Sequence, residues 1–427
     1  MKGLLLFSIL ILSFILLARL WRAKRDTVIS LGLAGMVVLV ALSMILFPEP
    51  SFKAAERGLK VWWDIVLPAL LPFFIAAELL MGMGVVHFMG VLMEPLMRPI
   101  FNVPGTGSFA MAMGIASGYP LGAALAARLK DDGLATKTEA ERLMCFCNTS
   151  DPLFMTGAVA VGMFKRTDLA VIIISAHYLS ALTVGVLLRF WKSGKDESPP
   201  FETHKAGFIV LRAYRAMRRA QRENKKAFGE LLGEAVKRSV NTLLLILGFI
   251  VLFSVIFEIL KMAGVTSFIS LAVSRLMPKS VLPPDLYEAI ISGLFEITIG
   301  TSMASQASAP LVLRVAVSSA IIAWSGLSVH AQVAAVIQSS GLSVWPYTAS
   351  RFLQSILAAI YTILLMMPGR SRWALSTFEP VTIRGSLAWF QNVGFATKLC
   401  ALTVGSVAMI SIVLTVFAFV RKYLRKF

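Results

Sequence analysis

The sequence predicts an all-α polytopic membrane protein with two related halves, each carrying broken or re-entrant helices. Three observations predict it. Of 427 residues, 57% are hydrophobic and 15% charged, and mean hydropathy is +0.78. Soluble domains carry about 45–50% apolar and about 25% charged residues. Several charge-free runs are long enough to cross a bilayer, and two stretches repeat at a fixed spacing.

This composition excludes a soluble globular enzyme, a disordered chain and a disulfide-stapled secreted domain. Three cysteines (Cys145, Cys147, Cys400) are too few for a disulfide framework. The length accommodates about ten crossings at roughly 20 residues each. The net charge of +18 comes from 41 Lys+Arg against 23 Asp+Glu. In a membrane protein that excess belongs to basic cytoplasmic loops facing anionic lipid, not to nucleic-acid binding.

The spans follow in order. Residues 1–60 form an N-terminal two-helix membrane region, from the charge-free runs Gly3–Ala18 and Thr27–Phe47. The first run lacks a clear cleavage site and ends in Arg22–Arg25, so it reads as a retained signal anchor with its N-terminus outside. Residues 61–191 form the first membrane repeat, with spans expected at Val61–Ala77, Leu143–Phe164 and Leu169–Leu188. Residues 192–239 form a cytoplasmic linker with 12 Lys+Arg and 6 Asp+Glu. An amphipathic helix is expected from about Phe208 to Arg238, with Arg215, Arg218, Arg219 and Arg222 on one lipid-facing side. Residues 240–368 form the second repeat, with spans at Val240–Phe257 and Phe352–Gly369. Residues 369–427 add a polar stretch and one further helix, Leu399–Val420. All must be helices, because an uncovered peptide group in hydrocarbon costs several kcal/mol. The runs are continuous rather than alternating, which excludes a β-barrel.

Phe73–Pro104 matches Phe253–Pro284 at an offset of 180, with 9 identities in 32 positions and no gap. These include Glu78/Glu258, Gly84/Gly264 and Pro104/Pro284. Apolar composition alone does not put a Glu, a Gly and a Pro in register. A second, breaker-rich segment follows each copy. In the first half, Pro99–Ala127 is apolar but holds five glycines and Pro120, and Asn148-Thr149-Ser150-Asp151-Pro152 comes later. In the second half, Phe295–Gly300 and Trp324–Ser328 stand near the corresponding places. Pro removes a backbone donor and Gly weakens helix continuity. Broken segments at matching places in two halves point to a transporter site. The alternative makes Gly114, Gly118 and Gly122 a small-residue helix-packing face.

Intramembrane carboxylates default to function, since a charge at the bilayer centre costs at least about 2.5–3.5 kcal/mol. Glu78 and Glu258, the repeated pair, are candidates for proton or ion coupling, or for pairing with Arg98 and Arg275. Glu296 is a candidate for the substrate site, and Asp151 for a cation ligand or a helix cap. Half-helix N-termini favour anionic ligands. Gly118, Tyr119, Asn148, Thr149, Ser150, Ser325, Gly326 and Ser328 would supply donors. Ser302, Ser305 and Gln306 would line the same cavity. His87, His177 and His330 have no partner at metal-ligand spacing and read as core histidines, with His330 also placed to shuttle protons. Cys145 and Cys147 read as packing residues. Neither a catalytic constellation nor a cofactor motif is present, so no enzyme activity and no cofactor are expected.

The block from Glu78 to Val85 and its echo from Glu258 to Val265 resemble the nucleoside-recognition Gate domain. Ala116–Gly122 and Cys145–Pro152 resemble a Gate-domain family of sporulation integral membrane proteins. The resemblance covers roughly residues 62–368. It implies the architecture of the concentrative nucleoside transporter core, with inverted repeats and re-entrant hairpins. It also implies a role in endospore formation: moving dipicolinic acid across the outer forespore membrane by alternating access. Dipicolinate, a small planar dianion, suits the donors listed above. Residues 369–427 depart from the pattern. A nucleoside or other small-anion transporter is the first alternative. A non-transporting scaffold for other sporulation membrane proteins, resting on the basic linker, is the second; a homo-oligomer is left open.

Overall fold

The computed structural model describes residues 25–192, 208–224, 226–269 and 282–367. The calls on Gly3–Ala18, Arg275, Leu399–Val420 and residues 369–427 lie outside them. Every regular element among the described residues is helical.

The chain enters through α1 (Arg25–Leu46) and α2 (Pro48–Val61), which meet at an angle of 107°. Pro48 suits the first position of α2, where its missing N–H has no intrahelical partner to lose. A π-helical stretch, Trp62–Val66, then leads into α3 (Leu67–Gly82). The expected span Val61–Ala77 is therefore interrupted at its start. Gly84, in the left-handed conformation at φ 75°, turns the chain by 82° into α4 (Val85–Phe101). Only glycine adopts that conformation at no steric cost. The repeat has the same corner: α10 (Phe228–Met262) ends before Gly264, also left-handed at φ 73°. The duplication seen in the sequence thus marks two equivalent elbows.

From the hairpin onward the described elements follow the same order in each half. In the first half, α5 (Gly107–Ser117) and α6 (Leu121–Asp131) form a hairpin. Then come α7 (Lys137–Cys147), a break, a π-helical stretch (Phe154–Met163) and α8 (Leu169–Leu188). In the second half, α11 (Pro284–Phe295) and α12 (Ile297–Gln306) form the hairpin. Then come α13 (Leu311–Trp324), a break at Ser325, α14 (Gly326–Gln338) and α15 (Val344–Leu365). Four described helical stretches are long and apolar enough to cross a membrane, and up to six if each bent pair counts as one span.

Two boundaries differ from expectation. The linker helix is not continuous from Phe208 to Arg238. It is split into α9 (Ile209–Glu223) and the first turns of α10, because the Asn224 side chain donates to Gly82 O (2.8 Å) and ends α9 there. The last described span starts at Val344, eight residues before the expected Phe352, and so includes Arg351. The core joins the halves: Phe109, Leu143, Phe146, Val333, Ile337 and Tyr347 share one apolar cluster. α15 packs on α8 and on α13.

Candidate functional site

The tip of the first hairpin is Gly118-Tyr119-Pro120, with a cis Tyr119–Pro120 bond. Gly118 has φ 80°, and a Cβ there would lie 2.9 Å from Asp151 Oδ2. Gly114 on α5, Gly118 at the tip and Gly122 on α6 therefore let both hairpin arms touch the break after α7. A Cβ on Gly122 would lie 2.7 Å from the Cys147 carbonyl carbon. The packing reading of these glycines and the site reading are one arrangement.

At that break Asn148, Thr149 and Ser150 are buried, with their polar groups met one by one. Asn148 Oδ1 accepts from Ala123 N–H (3.3 Å). The Thr149 hydroxyl donates to Gly114 O (3.4 Å). Ser150 N–H donates to His177 Nε2 (3.0 Å), and the Tyr178 hydroxyl donates to Ser150 O (3.0 Å). Asp151 Oδ1 accepts from Phe154 N–H at 2.8 Å, so this carboxylate caps the half-helix that follows. Cys145 and Cys147 are buried and bonded to Glu141 O and Gly122 O, as packing residues.

The second half repeats the plan. Glu296 caps α12 by accepting from Ile299 N–H (2.8 Å). Ser325 and Gly326 are both left-handed, at φ 73° and 69°. A Cβ on Gly326 would lie 3.0 Å from Phe295 O and 3.4 Å from Glu296 Cα. Each hairpin tip thus seats on the helix break of its own half.

The two breaks are joined through α15. The Tyr347 hydroxyl accepts from Asn148 Nδ2 (3.0 Å) and shares a hydrogen bond with Ser325 Oγ (3.2 Å). The Tyr119 hydroxyl donates to Ile322 O (2.8 Å) in the opposite half. Arg351 donates to Asn148 O (3.0 Å) and to Cys145 O. The His330 ring lies tilted between those of Trp324 and Tyr347, and its Nδ1 donates to Gly326 O (2.8 Å). Gln354 donates to His177 O (3.2 Å).

The structure therefore brings Gly118, Tyr119, Asn148, Thr149, Ser150, Asp151, Glu296, Ser325 and Gly326 into one region. It does not bring Ser302 and Gln306 there. Gln306 lies at the far end of α12 from the hairpin tip and Ser302 near the middle of the helix, and the two bond to each other (3.1 Å). Ten helical residues separate Gln306 from Glu296, roughly 15 Å along the axis. Ser328 lies in the first turn of α14, with its hydroxyl towards Gln332 (3.5 Å).

The repeated carboxylates sit near the elbows. Glu78 faces Arg128 (3.6 Å) and Arg238 (3.7 Å), and Glu258 pairs with Arg57 (2.7 Å). Arg98, proposed as a partner of Glu78, instead holds Glu94 and Glu139. A cavity of about 300 Å³ opens beside Glu78, between α9, α10 and the first hairpin, lined also by His87, Arg128, Asp132 and Arg238. In this conformation Tyr347 bridges the two breaks. Among the described residues no group of three His, Cys, Asp or Glu is placed to hold a metal.

The expected span Phe352–Gly369 leaves out the first two turns of α15 and its polar face. Tyr347, Ser350, Arg351, Gln354 and Thr362 form a buried polar stripe on that spanning helix. Their spacing of three and four residues was the available signal. Counting charge-free residues ended the run at Arg351 and hid it. His177, read as a core histidine, is an acceptor at the first break.

Paired hairpins seated on paired helix breaks, in a chain with several spanning helices, define an integral membrane protein built from two related halves. Residues 64–190 match the Gate family, described as nucleoside recognition. The chain is 41% identical over 346 residues to the sporulation integral membrane protein YlbJ of Bacillus subtilis, covering 81% of this chain and 84% of that protein. It belongs to the YlbJ family. No solved structure matches it.

Proposed function

We propose that the chain is a sporulation transporter that carries dipicolinate across the outer forespore membrane by alternating access. The observation that supports this most directly is the meeting of both helix breaks at Tyr347. Two half-helix N-termini, with backbone N–H groups and hydroxyls, suit the carboxylates of a small dianion. The bridging of the breaks by Tyr347 is then the closed, substrate-free state. The YlbJ relative supports the membrane and sporulation parts of the reading.

Coupling is assigned to Glu78 and Glu258, not as ligands but as latches. Neutralising either latch frees its arginine partner, and with it the elbow beside the hairpin. The test of the site is replacement of Asn148 or Asp151 by Ala in a sporulating host. The expected result is spores depleted of dipicolinate at normal protein levels. Unchanged spore dipicolinate would refute the assignment. A second reading, transport of a nucleoside, is favoured by the description of the Gate family. Uptake into vesicles, comparing dipicolinate with uridine, separates the two.

A further inference from the structure

Arg351 is fully buried, and among the described residues no carboxylate pairs with it. Arg98 shows the contrast: where that arginine enters the protein it is met by Glu94 and Glu139. The partners of Arg351 are neutral. Its two terminal nitrogens hold the carbonyls of Cys145 and Asn148, where α7 breaks, and the guanidinium lies 5.3 Å from the Tyr347 ring centroid. Its Nε–H is buried with no acceptor.

A second orphan donor lies on the neighbouring helix. His177 Nε2 accepts the Ser150 N–H, so the ring of a neutral histidine carries its proton on Nδ1. That Nδ1 is also buried without a partner. An unpaired buried charge costs several kcal/mol, and a buried orphan donor about 1–3 kcal/mol. Stability alone does not account for placing both beside a helix break. Capping two carbonyls uses the hydrogen-bonding fork of the guanidinium but leaves its charge unneutralised.

We propose that Arg351 is the fixed positive charge of the substrate site. In the closed state the Cys145 and Asn148 carbonyls occupy the positions that a substrate carboxylate takes when the break opens. A planar guanidinium matches a carboxylate with two parallel hydrogen bonds. This selects an anion over a neutral molecule of the same shape, and it rests on the anion-transport reading above.

The test uses the full chain in nanodiscs and isothermal titration with three probes: dipicolinate, its neutral diamide and uridine. Wild type is expected to prefer dipicolinate to the diamide. Arg351→Gln is expected to lose on the order of 30-fold or more in dipicolinate affinity, as for truncation of a buried charge pair. Diamide binding stays unchanged. Arg351→Lys keeps the charge and so keeps the preference, and this variant decides the matter if Arg351→Gln does not fold. A folded Arg351→Gln that binds dipicolinate as wild type does, or loses both pyridine ligands in proportion, overturns the proposal. So does Arg351→Lys with no preference. Wild type that binds uridine and not dipicolinate overturns the anion-transport reading itself.

Discussion

Gly122→Ala tests whether the hairpin and the break form one tight unit. Gly122 lies on α6 against the chain just after α7. An added methyl would sit 2.7 Å from the Cys147 carbonyl carbon and 2.8 Å from Asn148 Cα, while real Cβ atoms essentially never come within 3.0 Å of a neighbour. The obstacles are backbone atoms, so no rotamer change relieves them. Either α6 or the break must shift by several tenths of an ångström. Overpacking of this kind costs about 1–3 kcal/mol. The shift also disturbs Asn148, whose Nδ2 reaches Tyr347 and whose carbonyl reaches Arg351. Gly248→Ala on α10 is the control, because nothing lies within 4 Å of its added methyl. That change should be neutral, or stabilising by up to about 1 kcal/mol through helix propensity. The assay is thermal unfolding of the purified proteins in detergent, with spore dipicolinate as the functional readout. Gly122→Ala should melt several degrees below Gly248→Ala and deplete spore dipicolinate. Equal melting temperatures with normal dipicolinate would refute the close seating of hairpin on break.

Tyr347→Phe removes the hydroxyl joining Asn148 to Ser325 and should cost about 1–3 kcal/mol by leaving a buried donor unmet; unchanged thermal stability would count against the bridge. Glu78→Gln and Glu258→Gln, which release the arginines these carboxylates hold, should change the rate of vesicle uptake while leaving dipicolinate affinity intact, and loss of binding would refute their role as latches. The Arg166 guanidinium, bonded to Asp168 beside α8, holds that carboxyl below its usual range. Its stabilisation is therefore present above the unfolded value of about 3.9, is lost as pH falls through the lower folded value, and amounts to less than about 1 kcal/mol. Asp168→Asn should reduce stability at neutral pH by that small amount and remove this acid-dependent component, which comparing melting temperatures at pH 7 and pH 3 checks. Replacing Arg215, Arg218, Arg219 and Arg222 on the exposed face of α9 by Gln should weaken binding of the chain to anionic vesicles. Equal binding by a flotation assay would argue against a lipid-facing linker.

The helical class, the duplication and the places where helices break were all legible in the residues themselves. Hydrocarbon forbids uncovered backbone, so a long charge-free run has one conformation open to it. Gly84 and Gly264 mark their corners because only glycine turns left-handed cheaply. Asp151 and Glu296 were visible as isolated acids beside breakers, and both prove to be caps. Tertiary structure alone decided which of these segments meet. Ser302 and Gln306 carry the right chemistry, but the length of α12 takes them away from the hairpin tip. Arg351 and His177 enter the region from helices that follow the breaks by many residues, and no local pattern records that approach. A break is a property of nearby backbone, whereas a binding site depends on which distant side chains the packing of α8 against α15 delivers to it.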